Sequence, residues 1–410
     1  MDVVHGLVFV CLFLIALCAI THYFRNSRLP VICWVVLFGV GYGMLQKFAL
    51  PVFPRVHLSS DVILYIILPV LIFDSSRKLR IKIALKVALP SVLLATFGII
   101  LSMFTMALPI WFFTGLPWMD ILFFSAIMSA TDPVAVSAIF KVFSVPEKLK
   151  MLVEGESLLN DGTAIILFSL LFGKVVEGQE LMFSQGMLMF VGAVGLAILM
   201  GVAAGWMCMA LMRNWKALTD HFIGPLMPLL FVYLVFCAAQ AGLNVSGVIA
   251  VMATTITMKL ISIKYPKEVR VKHEQMGFYR NFWDFLSVLA NSILFFILGA
   301  EIGNHSADIH WKLILVSLGA LLLSRSVVVY GFGAVFRIFR IPIPLAWQHV
   351  LNLGGLKGAL SVALILMIPE DYIYRDFFLL SALVMCLFTL VVNTFGLWVY
   401  IKKTDLKEAD

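Results

Sequence analysis

The sequence predicts an all-α polytopic membrane protein of about thirteen transmembrane helices, two of them broken near mid-span. Three observations carry this reading. First, 62% of the 410 residues are hydrophobic and 13% charged, with a mean hydropathy of +1.03. A soluble domain of this size has no interior able to hide that much apolar surface. Second, the apolar residues gather into runs long enough to cross a bilayer. Third, two of these runs are interrupted by helix-breaking sequences, Thr131-Asp132-Pro133 and Gly354-Gly355-Leu356-Lys357-Gly358.

In chain order the runs are 3–21, 30–46, 61–74, 83–113, 118–140, 148–173, 186–212, 220–241, 245–262, 281–300, 311–336, 345–368 and 376–401, named α1 to α13. Charge orients them. With the N-terminus outside, loops on the inner face hold twenty-two Lys and Arg and those on the outer face five. This positive-inside bias supports both the helix count and a cytoplasmic C-terminus. No Lys or Arg precedes the first apolar run, which makes it a poor signal peptide and a good first span. The tail 402–410 is too short for a regulatory domain. The net charge of +7 sits in short loops and gives no reason to expect a nucleic-acid partner; the partner expected is the lipid bilayer. Cys11, Cys18, Cys33, Cys208, Cys237 and Cys386 fall within apolar runs and read as small core residues.

The richest stretch is Gly155-Glu156-Ser157-Leu158-Leu159-Asn160-Asp161-Gly162 in α6. A charged residue at the centre of a span is unfavourable by roughly 2.5–3.5 kcal/mol on insertion scales, and such residues mark ion or proton paths. Ser157 and Asp161 are four apart and share a helix face, with Glu154 seven before Asp161 on the same stripe. Glu156 and Asn160 share the neighbouring face. One face thus offers the oxygen ligands that hard cations prefer. The other offers an acid–amide pair for a base from another helix. The bland alternative is polar glue between helices.

In α5, Pro133 cannot donate a backbone bond and drives Asp132 from helical angles, so the helix should break there. A break inside a membrane is tolerated where it lines a cavity or is buried in protein, which makes the freed backbone and Thr131 candidate ligands. Asp132 would face the positive end of the second half-helix. The α12 break carries a cation, Lys357, where α5 carries an anion. Two broken spans in corresponding positions point to an inverted repeat, here α4–α6 against α11–α13. Arg325 in α11 needs an acidic or carbonyl partner from the core. Asp74 closes α3 and either reaches the cavity or is an interfacial residue next to Arg77 and Lys78. In α10, Asp284 lies near the inner end, and Phe282-Trp283 beside it reads as an interfacial anchor. Asn244-Val245-Ser246-Gly247 opens α9.

Together these motifs resemble the Na⁺/H⁺ exchanger family, in the branch of the NhaP antiporters and NHE exchangers. The resemblance covers nearly the whole chain, with the motifs in the family's order. It implies the inverted-repeat antiporter fold and a homodimer. A core domain, about 83–173 and 311–401, would move against a dimerisation domain, about 1–74 and 186–300. It implies electroneutral one-for-one exchange with no cofactor besides the transported Na⁺ and H⁺, in the plasma or bacterial inner membrane. It assigns cation and proton binding to Asp161, with Asp132, Thr131, Ser157, Asn160 and Asp74 nearby, and Na⁺ at Asp161, Ser157 and Thr131. Two departures stand out. Lys357 replaces the usual Arg, a point charge in place of a bidentate fork. Asp74 replaces the Glu common in the NhaP branch.

The resulting expectation is a Na⁺/H⁺ antiporter. Protonated, Asp161 crosses without sodium; ionised, it binds Na⁺. Glu156 with Asn160 would bind Lys357 or Arg325 and fix the half-helices. The rivals are K⁺/H⁺ exchange by the same machinery, an intramembrane aspartyl protease using Asp132 and Asp161 as its dyad, and a cation channel.

Overall fold

The computed structural model describes residues 3–24, 27, 29–48, 60–176, 178, 183–214, 223–264, 273–304, 311–404 and 406. Of the loop cations counted above, Arg25, Arg28, Arg55, Lys216, Lys267, Arg270, Lys272 and Lys407 lie outside these residues.

The described residues form thirteen helices, two of them split. They are α1 Val3–Phe24, α2 Val31–Phe48, α3 at 60–78, α4 Ile81–Thr114, α5a Trp118–Ser129, α5b Val134–Val142, α6 Glu147–Val175, α7 Phe183–Asn214, α8 Ile223–Gly242, α9 Gly247–Lys264, α10 His273–Asn304, α11 Trp311–Ile338, α12a Leu345–Leu353, α12b Ala359–Leu366 and α13 Arg375–Lys403. Nine helices among the described residues are long and apolar enough to cross a membrane. Most bounds fall within a few residues of the apolar runs. The largest difference is at α10, which begins well before residue 281 because its first turns are polar and hydropathy passes over them.

Local sequence sets the helix ends. Pro117, Pro146 and Pro344 each stand just before a helix, where a fixed φ and a missing N–H do no harm. α4 stops at Gly115, which takes φ +71° and donates its N–H to Trp111 O at 3.0 Å. Turns of π-helix interrupt α3 (Ile63–Ile67), α4 (Leu94–Gly98), α8 (Ala238–Gly242) and α13 (Thr389–Asn393).

Between membrane helices the hydrophobic drive is weak, so close backbone packing takes over. α2 and α10 lie groove in groove through Gly39 and Gly43 on one and Gly299 and Gly303 on the other. A Cβ at Gly39 would stand 2.2 Å from Phe296 O, and one at Gly299 2.1 Å from Val36 O. α7 packs on α9, and α3 packs on α9 and α10. A second group gathers around the split helices: α4 against α11, α5a against α4 and α6, α12b against α13. Its interior holds Phe123, Phe124 and Phe378, with Phe124 stacked on Phe378 at 4.8 Å between ring centroids. All six cysteines are unpaired; Cys33, Cys208 and Cys386 are core residues as expected. Cys11, Cys18 and Cys237 are instead exposed, on outward faces of helices that are apolar all round.

Candidate functional site

The two breaks meet. α5 breaks over 130–133, where Ala130 is extended at φ −59°, ψ 147°. α12 breaks over 354–358, and the Asp132 N–H donates to Leu356 O at 2.9 Å. Four half-helix ends converge here, two presenting carbonyl oxygens and two presenting N–H groups, with opposite partial charges. Side chains of complementary sign meet them. Lys357 Nζ donates to Ala130 O, just past the end of α5a, at 2.8 Å. Arg325 Nε and Nη2 donate to Leu351 O in the last turn of α12a at 3.2 and 2.8 Å. Asp132 Oδ1 accepts the Val134 N–H, the first of α5b, at 2.8 Å. The same carboxylate abuts the start of α12b, where a Cβ on Gly358 would stand 1.9 Å from Asp132 Oδ2. Glycine is therefore required at 358 by close approach.

α6 runs unbroken past this crossing. Its Ser157 hydroxyl donates to Thr131 O and lies 3.2 Å from Thr131 Oγ1, which pins the α5 break to α6. One turn on, Asp161 faces a cavity of about 40 Å³. Its walls include Asp161, Asp132, Thr131 and Gly358 on one side and Ser75 and Asn291, from α3 and α10, on the other. A single water needs about 10–15 Å³, so a small cation fits here with some of its water. No hydrogen bond or ion pair from a described residue reaches the Asp161 carboxylate. Among the described residues no cluster of three or more His, Cys, Asp and Glu could hold a metal. The chemistry available is two carboxylates and neutral oxygens, able to exchange a proton for a hard cation.

Ser157 itself is not in the cavity wall; its hydroxyl lies behind Thr131. Asn160 faces away too. Its Nδ2 donates to Ser129 O at 3.4 Å and to Thr131 Oγ1 at 3.3 Å. Asn160 borders a larger cavity of about 350 Å³ on the other side of the crossing, with Glu156, Arg325, Lys357 and Asn352. Thr131 borders both cavities. Of the Glu156 and Asn160 expected to bind a base together, Glu156 alone does so. Glu156, 2% exposed, takes both prongs of the Arg325 fork at 2.6 and 3.0 Å. Geometry decides between the two bases: a planar guanidinium matches a carboxylate, while the Lys357 ammonium fits a single carbonyl.

Asp74 does not line the Asp161 cavity. Its carboxylate is bound by Arg77 at 2.6 Å and Lys78 at 2.5 Å, and both bases also reach Asp284 in α10, at 2.6 and 3.1 Å. Lys259 of α9 donates to Arg77 O at 2.7 Å. Asp74 thus belongs to an ion cluster that ties the end of α3 to α9 and α10. The next residue, Ser75, turned about 100° round the helix, reaches the wall. Trp283 is no interfacial anchor: it is fully buried, 4.2 Å from the Phe73 ring. The Asn244–Gly247 stretch makes a turn, with Asn244 at φ +51° and Ser246 Oγ accepting the Ile249 N–H at 3.3 Å. It lies outside the Asp161 cavity. Asn291 was not foreseen. Its signal was a Ser287/Asn291 pair four apart in an apolar span, which reads as helix glue.

Residues 12–403 match the sequence model of a family described as sodium/hydrogen exchanger, transmembrane. The chain belongs to the sodium/hydrogen exchanger family. This exchanger is 31% identical over 393 residues to the Na⁺/H⁺ antiporter ApNhaP of Aphanothece halophytica, covering 94% of this chain and 71% of that one. It is 30% identical over 381 residues to the Na⁺/H⁺ antiporter NhaH of Halobacillus dabanensis, covering 91% of each. Its fold is that of the sodium proton antiporter MjNhaP1 from Methanocaldococcus jannaschii, with a TM-score of 0.74 at 18% identity over 98% of this chain and 99% of that one. The exchanger is therefore an integral membrane protein with that all-helical fold.

Proposed function

We propose that this exchanger moves Na⁺ one way and H⁺ the other by alternating access, with Asp161 carrying each cargo in turn. The observation that carries the proposal is an Asp161 carboxylate with no hydrogen bond from the described residues, facing a small cavity at the crossing of two broken helices. Ionised, Asp161 draws a cation into the cavity, where Thr131 and Asp132 offer further oxygens. Protonated, it needs no cation. Both loaded forms neutralise the site; the empty anion is costly to move through a membrane. Coupling follows from that difference. Asp132 is already held by the α5b N–H, so one titrating carboxylate remains, which favours electroneutral one-for-one exchange.

The packing supports a division into a core of α4–α6 and α11–α13 and a scaffold of α1–α3 and α7–α10. The cavity lies between them, as an alternating-access route requires. Homodimerisation through the scaffold, an outer N-terminus, a cytoplasmic C-terminus and residence in the plasma or bacterial inner membrane belong to the same proposal. Na⁺ is favoured over K⁺ because both relatives named above are Na⁺/H⁺ antiporters. Against the protease reading, a cavity of about 40 Å³ leaves little room for a peptide segment between the two carboxylates.

The test is a flux assay in proteoliposomes carrying a pH dye. Adding Na⁺ outside acid-loaded vesicles should drive proton release, Li⁺ less and K⁺ least. Equal responses to K⁺ and Na⁺ would favour the K⁺ reading, and a Na⁺ current without proton movement would overturn exchange.

A further inference from the structure

The cavity wall opposite Asp161 holds a polar group that the reading above leaves without a task. Asn291, on α10, is 6% exposed and borders the cavity. Its amide orientation is fixed chemically. Nδ2 donates to Ser287 O at 2.9 Å, and a backbone carbonyl can only accept, so the nitrogen must face Ser287; Ser287 Oγ lies near the same nitrogen at 3.5 Å. The oxygen is left on the other side of the amide, buried, with no donor on it among the described residues. A buried amide oxygen without a partner is unfavourable, and hard cations take such oxygens as ligands.

We propose that Asn291 Oδ1 is a Na⁺ ligand, supplied by α10 to complete the site that Asp161 anchors from α6. This rests on the exchange reading and adds an asymmetry to it. A proton needs only Asp161. A sodium ion needs Asp161 together with oxygens from both sides of the cavity, Thr131 on one and Asn291 on the other. Asn291 therefore sets the balance between the two cargoes, binding one and leaving the other unaffected. Asp74, the acid expected to contribute from this side, is held by Arg77 and Lys78, so the neutral amide is the ligand available there.

The experiment is Na⁺-dependent exchange in proteoliposomes at symmetric pH, comparing wild type with Asn291→Leu and Asn291→Asp, each checked for an unchanged melting temperature in detergent. Leu matches the side chain in size and removes the oxygen. Its apparent KM for Na⁺ should rise about tenfold, the loss of roughly one good ligand. Its pH optimum should move towards alkaline, because protons now compete better. Asp keeps an oxygen and loses the Nδ2 donor. A ligand role predicts that Asp keeps the Na⁺ KM at or below the wild-type value; a purely structural role, exerted through Ser287, predicts that Asp fails as Leu does. If Leu does not fold, Asn291→Ala asks the same question. A wild-type KM and optimum in a folded Leu or Ala variant would overturn the ligand role while leaving exchange intact, as would Asp behaving like Leu. Wild-type vesicles without Na⁺-driven proton movement would overturn the exchange reading and this one with it.

Discussion

Asp132 accepts a hydrogen bond from the Val134 N–H and abuts Gly358, whereas Asp161 faces the same cavity without a donor among the described residues. The two acids should therefore respond differently to substitution. Asp161→Asn keeps the shape and removes the group that the proposed mechanism uses to carry either cargo. Exchange should fall to the vesicle background with the melting temperature unchanged. Asp132→Asn still offers an oxygen to Val134 and should fold normally, whereas Asp132→Ala loses the cap and about 1 kcal/mol of stability. Thermal unfolding in detergent beside the flux assay separates these cases. Arg325→Ala is of another kind: it leaves Glu156 charged and buried, which destabilises by roughly 3–5 kcal/mol. Its melting temperature should fall far more than its Na⁺ affinity changes. Lys357→Ala should do the same more mildly, by freeing Ala130 O, and Lys357→Arg should be tolerated. At this scale the sequence was legible in part. A charged residue in a span stands out, so Asp161, Glu156, Arg325 and Lys357 could each be singled out as charges within apolar runs. Which base met Glu156, across 169 positions of chain, was settled only by the fit of a fork to a carboxylate. Asp74 misled because charge draws the eye while helix phase decides which side chain faces in.

Among the elements, the split helices meet at the candidate site. Pro133 and the run Gly354-Gly355 are the reasons they split, and both were readable because backbone chemistry is local. The reason for glycine at 358 was not readable, since it depends on a carboxylate 226 positions earlier in the chain. That contact gives a test. Gly358→Ala removes no polar group, yet its methyl would occupy the space of Asp132 Oδ2. Exchange should drop at least tenfold, about 1.4 kcal/mol in the barrier or more, in a protein that still folds. Wild-type rates in Gly358→Ala would show that the half-helices need not be so close. The α2–α10 groove is the structural counterpart. Gly299→Val should prevent folding, because the clash there is with the Val36 carbonyl and not with a movable side chain. Yield and gel-filtration profile report it.

At the scale of the whole molecule, thirteen helices were legible because each span must be apolar over a bilayer's width. Their grouping was less so, because membrane helices that are apolar all round carry no stripe to say which face packs where. In the proposed mechanism Asp161 serves both cargoes, so Na⁺ and H⁺ compete for it. As pH falls, the proton occupies Asp161 and the apparent KM for Na⁺ rises. As pH rises, Na⁺ binds readily and proton loading on the return step becomes limiting. Turnover at symmetric pH follows a bell. More Na⁺ displaces more protons, so the optimum must move towards acid as Na⁺ increases. The most direct test is Na⁺ exchange in proteoliposomes at equal pH on both sides, repeated over a tenfold range of Na⁺. Competition at Asp161 predicts an optimum that shifts steadily to lower pH with added Na⁺; an optimum that stays fixed across that range would contradict it and place the pH response in another group.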